Sequence, residues 1–409
     1  MAQAARTITG IVIALMLGLT SMTITTSADN TNSEEGRRFY FDAQDRATKF
    51  QTTDQIFPSR IARAGTDVWR LGKAQLPVDF EITYEWEGKE YSVDDFNERN
   101  NTNALLILKD GEIVTEIYRN GSKPDTRFIS FSMGKSFTST MVGMVLEDGY
   151  IDAVGDPLTK YLPSLSGSAY DGVTIKDALQ MVSGVEWDEA TYEWNDLTKP
   201  LNKHWRAALV EQRYRFIEAA NELPRAAAPG ETYNYNTLET SILGWLVETV
   251  TKRRMTQYFE QRLWQPAGME FDAAWILDGP DDIGREMSGG GLTAALRDFG
   301  RFGLMMSRAG KANGKQLISP GWVKAATTAD REPIQYGNLY EEYPLGYGYQ
   351  WWLFENGRFE AQGIYGQLIY VAPAQDVVIV LLSDWPDPWV DELEYESYVF
   401  FDAVIEALK

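Results

Sequence analysis

Strand-like segments lie near both ends of this chain, and mostly helical segments lie between them. Residues 104–108 and 112–118 flank Lys109-Asp110-Gly111, and Asp-Gly between two apolar alternating runs is a strong β-hairpin signal. Residues 368–371 and 377–382 form a second predicted hairpin near the C-terminus. Two distant hairpins bury their apolar faces most economically when they share one sheet.

The middle of the chain shows helical periodicity. The predicted helices are 132–147, 174–181, 205–221, 238–250, a stretch that begins near Thr293, and a last one over 395–408. The predicted fold class is α/β (α+β), with one antiparallel sheet built from both chain ends, flanked by helices, and a helical lobe inserted at about residues 140–290. A site is expected in the cleft between sheet and lobe. The alternative is two independent domains divided near residue 290, but no flexible linker is evident there.

Residues 1–28 are typical of an export signal. Arg6 is the only charge, residues 8–19 form an apolar run, and Thr26-Ser27-Ala28 is a small-residue cleavage pattern. The run is shorter than the roughly 20 residues that a spanning helix needs. We therefore expect an exported bacterial protein, periplasmic or secreted, without membrane contact after cleavage; the alternative is an uncleaved N-terminal anchor. Residues 29–100 are polar and irregular and are expected to form an extended segment that wraps the surface.

The residue inventory excludes several function classes. Lys+Arg number 38 against 59 Asp+Glu, a formal net charge of −21, and no basic patch is evident, so a nucleic-acid partner is not expected. The absence of cysteine excludes disulfides, thiolate metal sites and a Cys nucleophile. The single histidine, His204, excludes two-His metal sites, and its polar neighbours predict a surface position. We expect neither a metal nor a cofactor.

One Ser-Lys pair could supply a nucleophile without histidine. Ser132 and Lys135 form the only S-x-x-K of the chain, between a strand-like segment and an apolar helix. At the start of a helix, these side chains lie one turn apart on one face. A buried Lys loses its charge readily and can act as a base, and the N–H groups of a helix N-terminus can stabilise an oxyanion. Ser132 is therefore the predicted nucleophile, activated by Lys135.

Two further segments could complete such a site. Tyr235 lies in the loop 229–237 before an apolar helix, and a phenol near a cationic Lys is a candidate proton shuttle. The alternative for Tyr235 is an ordinary core or loop aromatic. Gly363 opens the last hairpin, where a missing side chain lets another backbone approach. The N–H of Ile364 could then form an oxyanion hole with the N–H of Ser132; the alternative is a simple bend.

These three elements, in this order, resemble the serine β-lactamase and penicillin-recognising superfamily. The resemblance runs from about Asn103 to the C-terminus. It is closest to the class C-like branch of esterases and peptidases, and there to the nylon-oligomer (6-aminohexanoate-dimer) hydrolases. The segments that carry it are 131–136, 149–152, 168–172, 289–292, 350–352, 363–367 and 383–388. It implies a β-lactamase-like serine hydrolase domain over residues 101–409 that needs no cofactor and acts on a small ester or amide; a homodimer is one option for its assembly.

The resemblance also implies roles for single residues. Ser132 would be the acylated nucleophile, Lys135 would assist its deprotonation and Tyr235 would move the proton. The backbone N–H groups of Ser132 and Ile364 would form the oxyanion hole. The substrate would contact Thr237, Gly363, Tyr365, Trp351, Trp385 and Tyr192, the last being the nearest candidate, with Thr191, for the loop Tyr that contacts the amide in the nylon-dimer enzymes.

The chain departs from the β-lactamase pattern in several places. Thr237 replaces the Asn of Tyr-x-Asn, residues 361–363 are Ala-Gln-Gly instead of Lys-Thr-Gly, and the Ser-Asp-Asn motif is missing. No Lys at 361 can pair with a β-lactam carboxylate, so efficient β-lactamase activity is not expected. Tyr365 stands where the nylon-oligomer hydrolases tend to carry His, which leaves their specific substrate open.

The sequence as a whole predicts a serine hydrolase that cleaves an ester or a linear amide through an acyl-enzyme on Ser132. Two alternatives stay open: a cell-envelope D-amino-acid peptidase or weak β-lactamase, and a non-catalytic envelope binding protein that keeps the fold. The high aromatic content, 13 Trp, 21 Tyr and 18 Phe, predicts an aromatic wall around the cleft, which suits an uncharged acyl group or a linear amide. Core packing is the alternative role for Trp351 and Trp385.

Overall fold

The computed structural model of the chain describes residues 32–77, 80–189, 194, 196–280, 282–340 and 343–409. The export signal predicted for residues 1–28 and the predicted substrate contact Tyr192 lie outside these residues. The α-helices, α1 to α13 in chain order, are Glu34–Arg38, Arg46–Gln51, Thr53–Ile56, Val93–Arg99, Gly134–Glu147, Leu158–Tyr161, Ile175–Leu179, Pro200–Trp205, Thr237–Thr251, Met255–Phe259, Leu296–Ser307, Pro320–Ala326 and Asp391–Ala407.

The β-strands, β1 to β16, are Ser59–Ala62, Gly72–Lys73, Thr83–Trp86, Lys89–Ser92, Thr102–Lys109, Glu112–Tyr118, Phe128–Ile129, Ala273–Ile276, Leu292–Ala294, Lys311–Ala312, Lys315–Gln316, Gly346–Tyr347, Trp352–Leu353, Phe359–Gly363, Gln367–Ala372 and Val377–Ser383. The 3₁₀ turns are Phe131–Met133, Pro163–Leu165, Phe216–Asn221, Glu332–Ile334 and Pro373–Gln375, and the π-helical turns are Arg206–Val210 and Glu260–Trp264.

An eight-stranded sheet joins the two ends of the chain, in the order β12-β13-β14-β15-β16-β5-β6-β2. The strands of the two chain ends meet at β5 and β16, which run antiparallel with Lys109 opposite Val377 and Ala104 opposite Leu382. The predicted antiparallel sheet built from both chain ends is therefore confirmed. The exception is the edge strand β2, which pairs parallel to β6.

Strand β5 is buried on both faces of the sheet. Leu105 and Ile107 pack in one hydrophobic cluster with Phe400 of α13, whereas Leu106 packs in another with Phe302 of α11. Successive side chains of a strand point to opposite faces, so one apolar run serves both clusters. The sheet is thus the middle layer between α13 and α11.

A second, four-stranded sheet, in the order β1-β8-β9-β7, stands beside the helical lobe. Strand β9 lies after residue 290 and pairs with β8, which lies before it, and with β7 just ahead of Ser132. One sheet therefore crosses the position where two domains would have divided, and the alternative of two independent domains is wrong. Among the described residues, no helix is both long and apolar enough to cross a membrane.

Three local predictions differ from the structure. The helix predicted over 205–221 is α8, a π-helical turn and a separate 3₁₀ turn, because Gln212 adopts a left-handed backbone conformation with φ 53° that interrupts the helix. Thr293 lies in β9, and α11 begins only at Leu296. His204 is 1% exposed, with Nδ1 2.5 Å from the Tyr214 hydroxyl, so its predicted surface position is wrong.

The N-terminal part of the chain contributes to the core. Tyr40, Phe50 and Phe57 are buried in the same cluster as Phe131, the residue before Ser132. Phe96 of α4 is buried with Phe400 of α13, and their rings stack 3.9 Å apart. The N-terminal part of the chain therefore does more than wrap the surface, since Tyr40, Phe50 and Phe57 pack in the cluster of Phe131 and Phe96 packs under α13.

Candidate active site

Ser132 lies in a tight turn between β7 and the long helix α5. The 3₁₀ turn over Phe131–Met133 leads directly into α5, whose residues 134–145 are all buried. Phe131 has φ 41°, a left-handed conformation that is costly for a residue with a large side chain. The turn brings the partly exposed Ser132 to the N-terminus of α5, where N–H groups and the helix dipole favour negative charge.

Lys135 is buried next to Ser132, with only 1% of its surface exposed. Its Nζ lies 2.9 Å from Ser132 Oγ, 2.8 Å from Thr237 Oγ1 and 2.8 Å from the carbonyl oxygen of Gly289. Burial lowers the pKa of Lys135 to about 8, although the charge of Glu189 opposes this shift. The neutral amine is therefore accessible near neutral pH.

The partners of Lys135 determine where its lone pair points when it is neutral. The Gly289 carbonyl can only accept a hydrogen bond. The Thr237 hydroxyl donates its own hydrogen to Glu189 Oε1 at 2.8 Å, so it too accepts from Lys135. Ser132 is the one partner of the three with a hydrogen to give. The neutral amine therefore directs its lone pair at Ser132 Oγ, which is the arrangement that a base needs.

Glu189 is a site residue that sequence reasoning missed. It is buried, and its carboxylate accepts bonds from the Thr237 hydroxyl, from the Thr237 N–H at 2.8 Å and from the Trp187 indole N–H. It holds a negative charge one hydroxyl away from Lys135. No local pattern marks Glu189, because it belongs to a loop and meets Thr237 only in the fold.

Tyr235 lies on the other side of the Ser-Lys pair. Lys135 Nζ stands 4.9 Å from the centre of its ring, and Trp352 stacks on the ring at 5.6 Å. The pKa of Tyr235 is well above its usual range, because burial and the charge of Glu189 outweigh a hydrogen bond with Ser132. Tyr235 is therefore a neutral phenol next to Ser132 that can donate a proton.

Strand β14 ends directly against the turn that carries Ser132. A Cβ atom on Gly363 would lie 2.5 Å from the Ser130 carbonyl oxygen and 3.0 Å from the Ser132 nitrogen. Only glycine allows this approach. It brings the residue before Ile364 against the backbone nitrogen of Ser132, and Ser132 and Ile364 line the same cavity.

Ser132 lies at the border of two cavities. The larger, about 280 Å³, has an aromatic wall formed by Tyr235, Tyr340, Tyr343, Trp352 and Trp389. The smaller, about 40 Å³, is lined by Glu189 and Thr237 and by Phe41, Trp194 and Trp205. Phe41 stacks on Trp194 with ring centres 3.9 Å apart, so the N-terminal segment closes this side.

Within the described residues, no cluster of three His, Asp or Glu side chains could hold a metal ion.

The predicted substrate contacts fall into two groups. Thr237 and Gly363 lie beside Ser132, as described above. Trp351, Trp385 and Tyr365 are buried and line neither cavity: Trp351 packs on Phe302, Trp385 donates to Asn100 Oδ1 at 2.9 Å, and Tyr365 packs among Phe41, Phe50 and Phe131. The next residue along the chain, Trp352, faces the larger cavity instead of Trp351.

Comparison with known proteins places this geometry in context. Residues 93–400 match the family described as Beta-lactamase. The chain is 33% identical over 299 residues to the 6-aminohexanoate-dimer hydrolase of Paenarthrobacter ureafaciens, covering 70% of this chain and 74% of that protein. A solved structure provisionally assigned as a 6-aminohexanoate-dimer hydrolase from Bacillus anthracis superimposes with a TM-score of 0.81 at 22% identity, covering 94% of this chain and 98% of that one. EstCE1, a hydrolase with promiscuous acyltransferase activity, superimposes with a TM-score of 0.61 at 14% identity, over 76% and 95% of the two chains.

Proposed function

The chain belongs to the beta-lactamase family and is a serine hydrolase, and we propose that it cleaves esters and linear amides through an acyl-enzyme on Ser132. The observation that carries this proposal is the bonding of Lys135. Its amine lies 2.9 Å from Ser132 Oγ, and its other two partners can only accept hydrogen bonds from it. A neutral amine held in this way is a base directed at one hydroxyl group.

In the proposed first step, Ser132 Oγ attacks the carbonyl carbon of the substrate while its proton moves to Lys135 Nζ. The carbonyl oxygen becomes an oxyanion. In this proposal the N–H groups of Ser132 and Ile364 donate to it, and preorganised donors of this kind typically contribute 10²–10³-fold to the rate. The ammonium form of Lys135 then bonds to Ser132, Thr237 and Gly289, all of which can accept.

In the second step, the tetrahedral intermediate collapses and the bond to the leaving alcohol or amine breaks. The leaving group takes a proton from the Tyr235 hydroxyl, and the proton on Lys135 replaces it. Deacylation repeats the sequence with water as the nucleophile. Water gives a proton to Lys135 as it attacks the acyl carbon, and Ser132 Oγ takes that proton from Lys135 as its bond to the acyl carbon breaks.

The linear amide of the 6-aminohexanoate dimer is a specific candidate substrate. It is supported by the 33% identity to the Paenarthrobacter ureafaciens enzyme, whose name states that it hydrolyses this dimer. Tyr192, proposed to contact the amide, lies outside the described residues. If the purified chain at high concentration releases no 6-aminohexanoate from the dimer, this substrate is excluded and the general reaction is not.

The two rival functions have specific observations against them. A D-amino-acid peptidase or β-lactamase binds a substrate carboxylate, and residues 361–363 offer no Lys for it. A non-catalytic binding protein has no need of a buried Lys aimed at a serine. We also propose export to the periplasm or medium, which rests on the sequence of residues 1–28 alone.

The deciding experiment is hydrolysis of p-nitrophenyl acetate and butyrate by the purified chain and by Ser132→Ala. We expect kcat to fall about 10³-fold or more in Ser132→Ala, because no other group replaces the nucleophile. Ser139→Ala, on the same helix and with a buried hydroxyl that has no partner among the described residues, is the matched control and should keep its activity. Equal activity in all three proteins, or none in the parent chain, would refute the proposal.

A further inference from the structure

The N-terminal segment, residues 33–57, supplies part of the wall of the smaller cavity. Phe41 lines this cavity beside Trp194 and Trp205, and all three side chains are partly buried. The family match covers residues 93–400, so the segment lies outside the matched domain. Phe41 is therefore an addition to the cavity that the matched domain does not itself provide.

Buried arginines anchor this segment on both sides of Phe41. Arg37 is buried and donates from Nε to the Val210 carbonyl oxygen at 2.9 Å. Arg46 is buried too, and it donates from Nη2 to the Trp385 carbonyl oxygen at 2.5 Å. Buried polar groups keep such bonds because breaking them leaves a donor without a partner. The backbone around Phe41 is therefore tied to two distant parts of the fold.

The ring of Phe41 is also packed among aromatic side chains. It lies 3.9 Å from the Trp194 ring with 1° between their planes, and its centre is 5.5 Å from that of Trp205. The Trp194 indole N–H donates to the Tyr365 hydroxyl at 3.4 Å, and the Tyr365 ring lies 6.2 Å from Phe41. Aromatic pairs of this kind contribute more than the burial of their area. Phe41 is therefore held in place as a wall.

The space between this wall and Ser132 is small. One group of the size of water needs about 10–15 Å³, so a cavity of about 40 Å³ holds roughly three such groups. Leu201 and Met287 add apolar surface to the lining. Glu189, also in the lining, already accepts the hydroxyl hydrogen of Thr237. The cavity therefore suits a short, uncharged chain.

The proposed reaction determines which end of the substrate faces this cavity. The leaving alcohol or amine takes its proton from Tyr235, which lines the larger cavity and is not among the described residues around the smaller one. The leaving group therefore lies on the side of the larger cavity. The acyl chain points in a different direction from the same carbonyl carbon, and the smaller cavity is the space that remains for it beside Ser132.

We propose that Phe41 sets the length of the acyl chain that the enzyme accepts. A short acyl group fits between Ser132 and the paired rings of Phe41 and Trp194, whereas a longer chain collides with those rings. The inference rests on the proposed function and narrows its substrates to esters and amides of short, uncharged acyl groups. Phe41 determines specificity in this proposal and takes no part in the bond changes.

The test varies the acyl chain while the leaving group stays the same. The substrates are p-nitrophenyl acetate, butyrate, hexanoate and octanoate, and the proteins are the parent chain and Phe41→Ala. One methylene group in a hydrophobic pocket changes kcat/KM by about tenfold or more. We expect kcat/KM of the parent to fall at least about tenfold from butyrate to octanoate. In Phe41→Ala this fall should shrink about tenfold, and cleavage of the 6-aminohexanoate dimer, whose acyl chain is longer than butyrate, should become faster.

Phe39→Ala is the matched control. Phe39 lies two residues before Phe41 in the same segment and is 47% exposed, so its removal should leave the ratio of butyrate to octanoate unchanged. Comparing two esters within one variant cancels any general loss of activity. Phe41→Leu removes less of the wall and should shift the ratio in the same direction by a smaller factor. It decides the question if Phe41→Ala does not fold.

A second series varies the leaving group while the acyl group stays the same. Butyl acetate and octyl acetate differ only in the alcohol, which faces the larger cavity. Phe41→Ala should therefore leave the ratio of their kcat/KM values unchanged. A change in this ratio without a change in the acyl series would show that the acyl chain does not face the smaller cavity. A change in both series would indicate a general loosening of the site. Either result refutes the proposal.

The remaining outcomes separate this inference from the function on which it rests. If the parent hydrolyses octanoate as well as butyrate with dependence on Ser132, Phe41 sets no limit and the hydrolase stands. A folded Phe41→Ala that keeps the parent's ratio of butyrate to octanoate leads to the same conclusion. If no ester is hydrolysed with dependence on Ser132, the proposed function fails first.

Discussion

A group of buried ionisable side chains lies beside each of the two cavities that meet at Ser132, and the two groups are paired differently. On the smaller side, the Lys135 ammonium has three acceptors, and the carboxylate of Glu189 is one hydroxyl away. On the larger side, Gln362 of the cavity wall bonds to the buried carboxyl groups of Glu360 and Glu394, and no Lys or Arg among the described residues forms an ion pair with either. A buried charge costs stability unless it is paired. The first centre therefore pairs its charge, whereas in the second, burial raises the pKa of both carboxyl groups and so favours their neutral form.

The largest expected effect comes from removing the amine of Lys135. In Lys135→Met, kcat/KM for p-nitrophenyl butyrate should fall about 10³-fold or more, because no base then faces Ser132. In the parent chain, activity should rise with pH through a midpoint near 8, since the neutral amine is the active form. If the residual activity of Lys135→Met rose with pH through the same midpoint, a group other than Lys135 would be responsible for the pH dependence.

An intermediate effect is expected from Glu189→Gln. The negative charge of Glu189 favours the ammonium form and raises the pKa of Lys135. Without that charge the pKa of Lys135 falls, so the pH midpoint of kcat/KM should move below 8 while the maximal rate falls about tenfold through looser positioning of Thr237. The exposed Glu186→Gln, three residues earlier, is the control. A purely structural role would lower the rate without moving the midpoint.

The smallest effect on the reaction is expected from a substitution in the aromatic wall of the larger cavity. Trp352→Phe should raise KM a few-fold, because Trp352 lines the larger cavity. Its neighbour Trp351 is buried against Phe302 and Phe359. Trp351→Phe should instead lower the unfolding free energy by about 1–3 kcal/mol and leave KM unchanged. KM is measured by steady-state kinetics and stability by thermal unfolding. If Trp351→Phe raised KM and Trp352→Phe did not, the assignment of Trp352 to the cavity wall would be wrong.

The two centres also differ in how far the sequence could predict them. Ser132 and Lys135 lie one helical turn apart, so helix geometry alone brings them together. Both hairpins were predictable for a similar reason, since Asp110-Gly111 marks a turn between neighbouring strands. Interactions within a few residues follow from local rules.

Contacts made across the fold could not be predicted in this way. Gln362 reaches Glu394 and Tyr398, which belong to the last helix, and no spacing rule connects a strand to them. The choice between Trp351 and Trp352 depends on the register of β13 against β12, since a shift of one residue reverses the faces of a strand. His204 looked exposed by its neighbours, but the fold buries it against Tyr214.

The order of the strands has a consequence for biosynthesis. The interior strand β5 is translated early and waits for its partner β16, which lies far later in the sequence. Ile364, too, is made long after Ser132. Pairing between such distant segments is slow, and domains fold as units once their last strands are available. A nascent chain therefore carries Ser132 long before it carries the strand pair that follows Ile364, and the proposed hydrolytic activity must await those later strands.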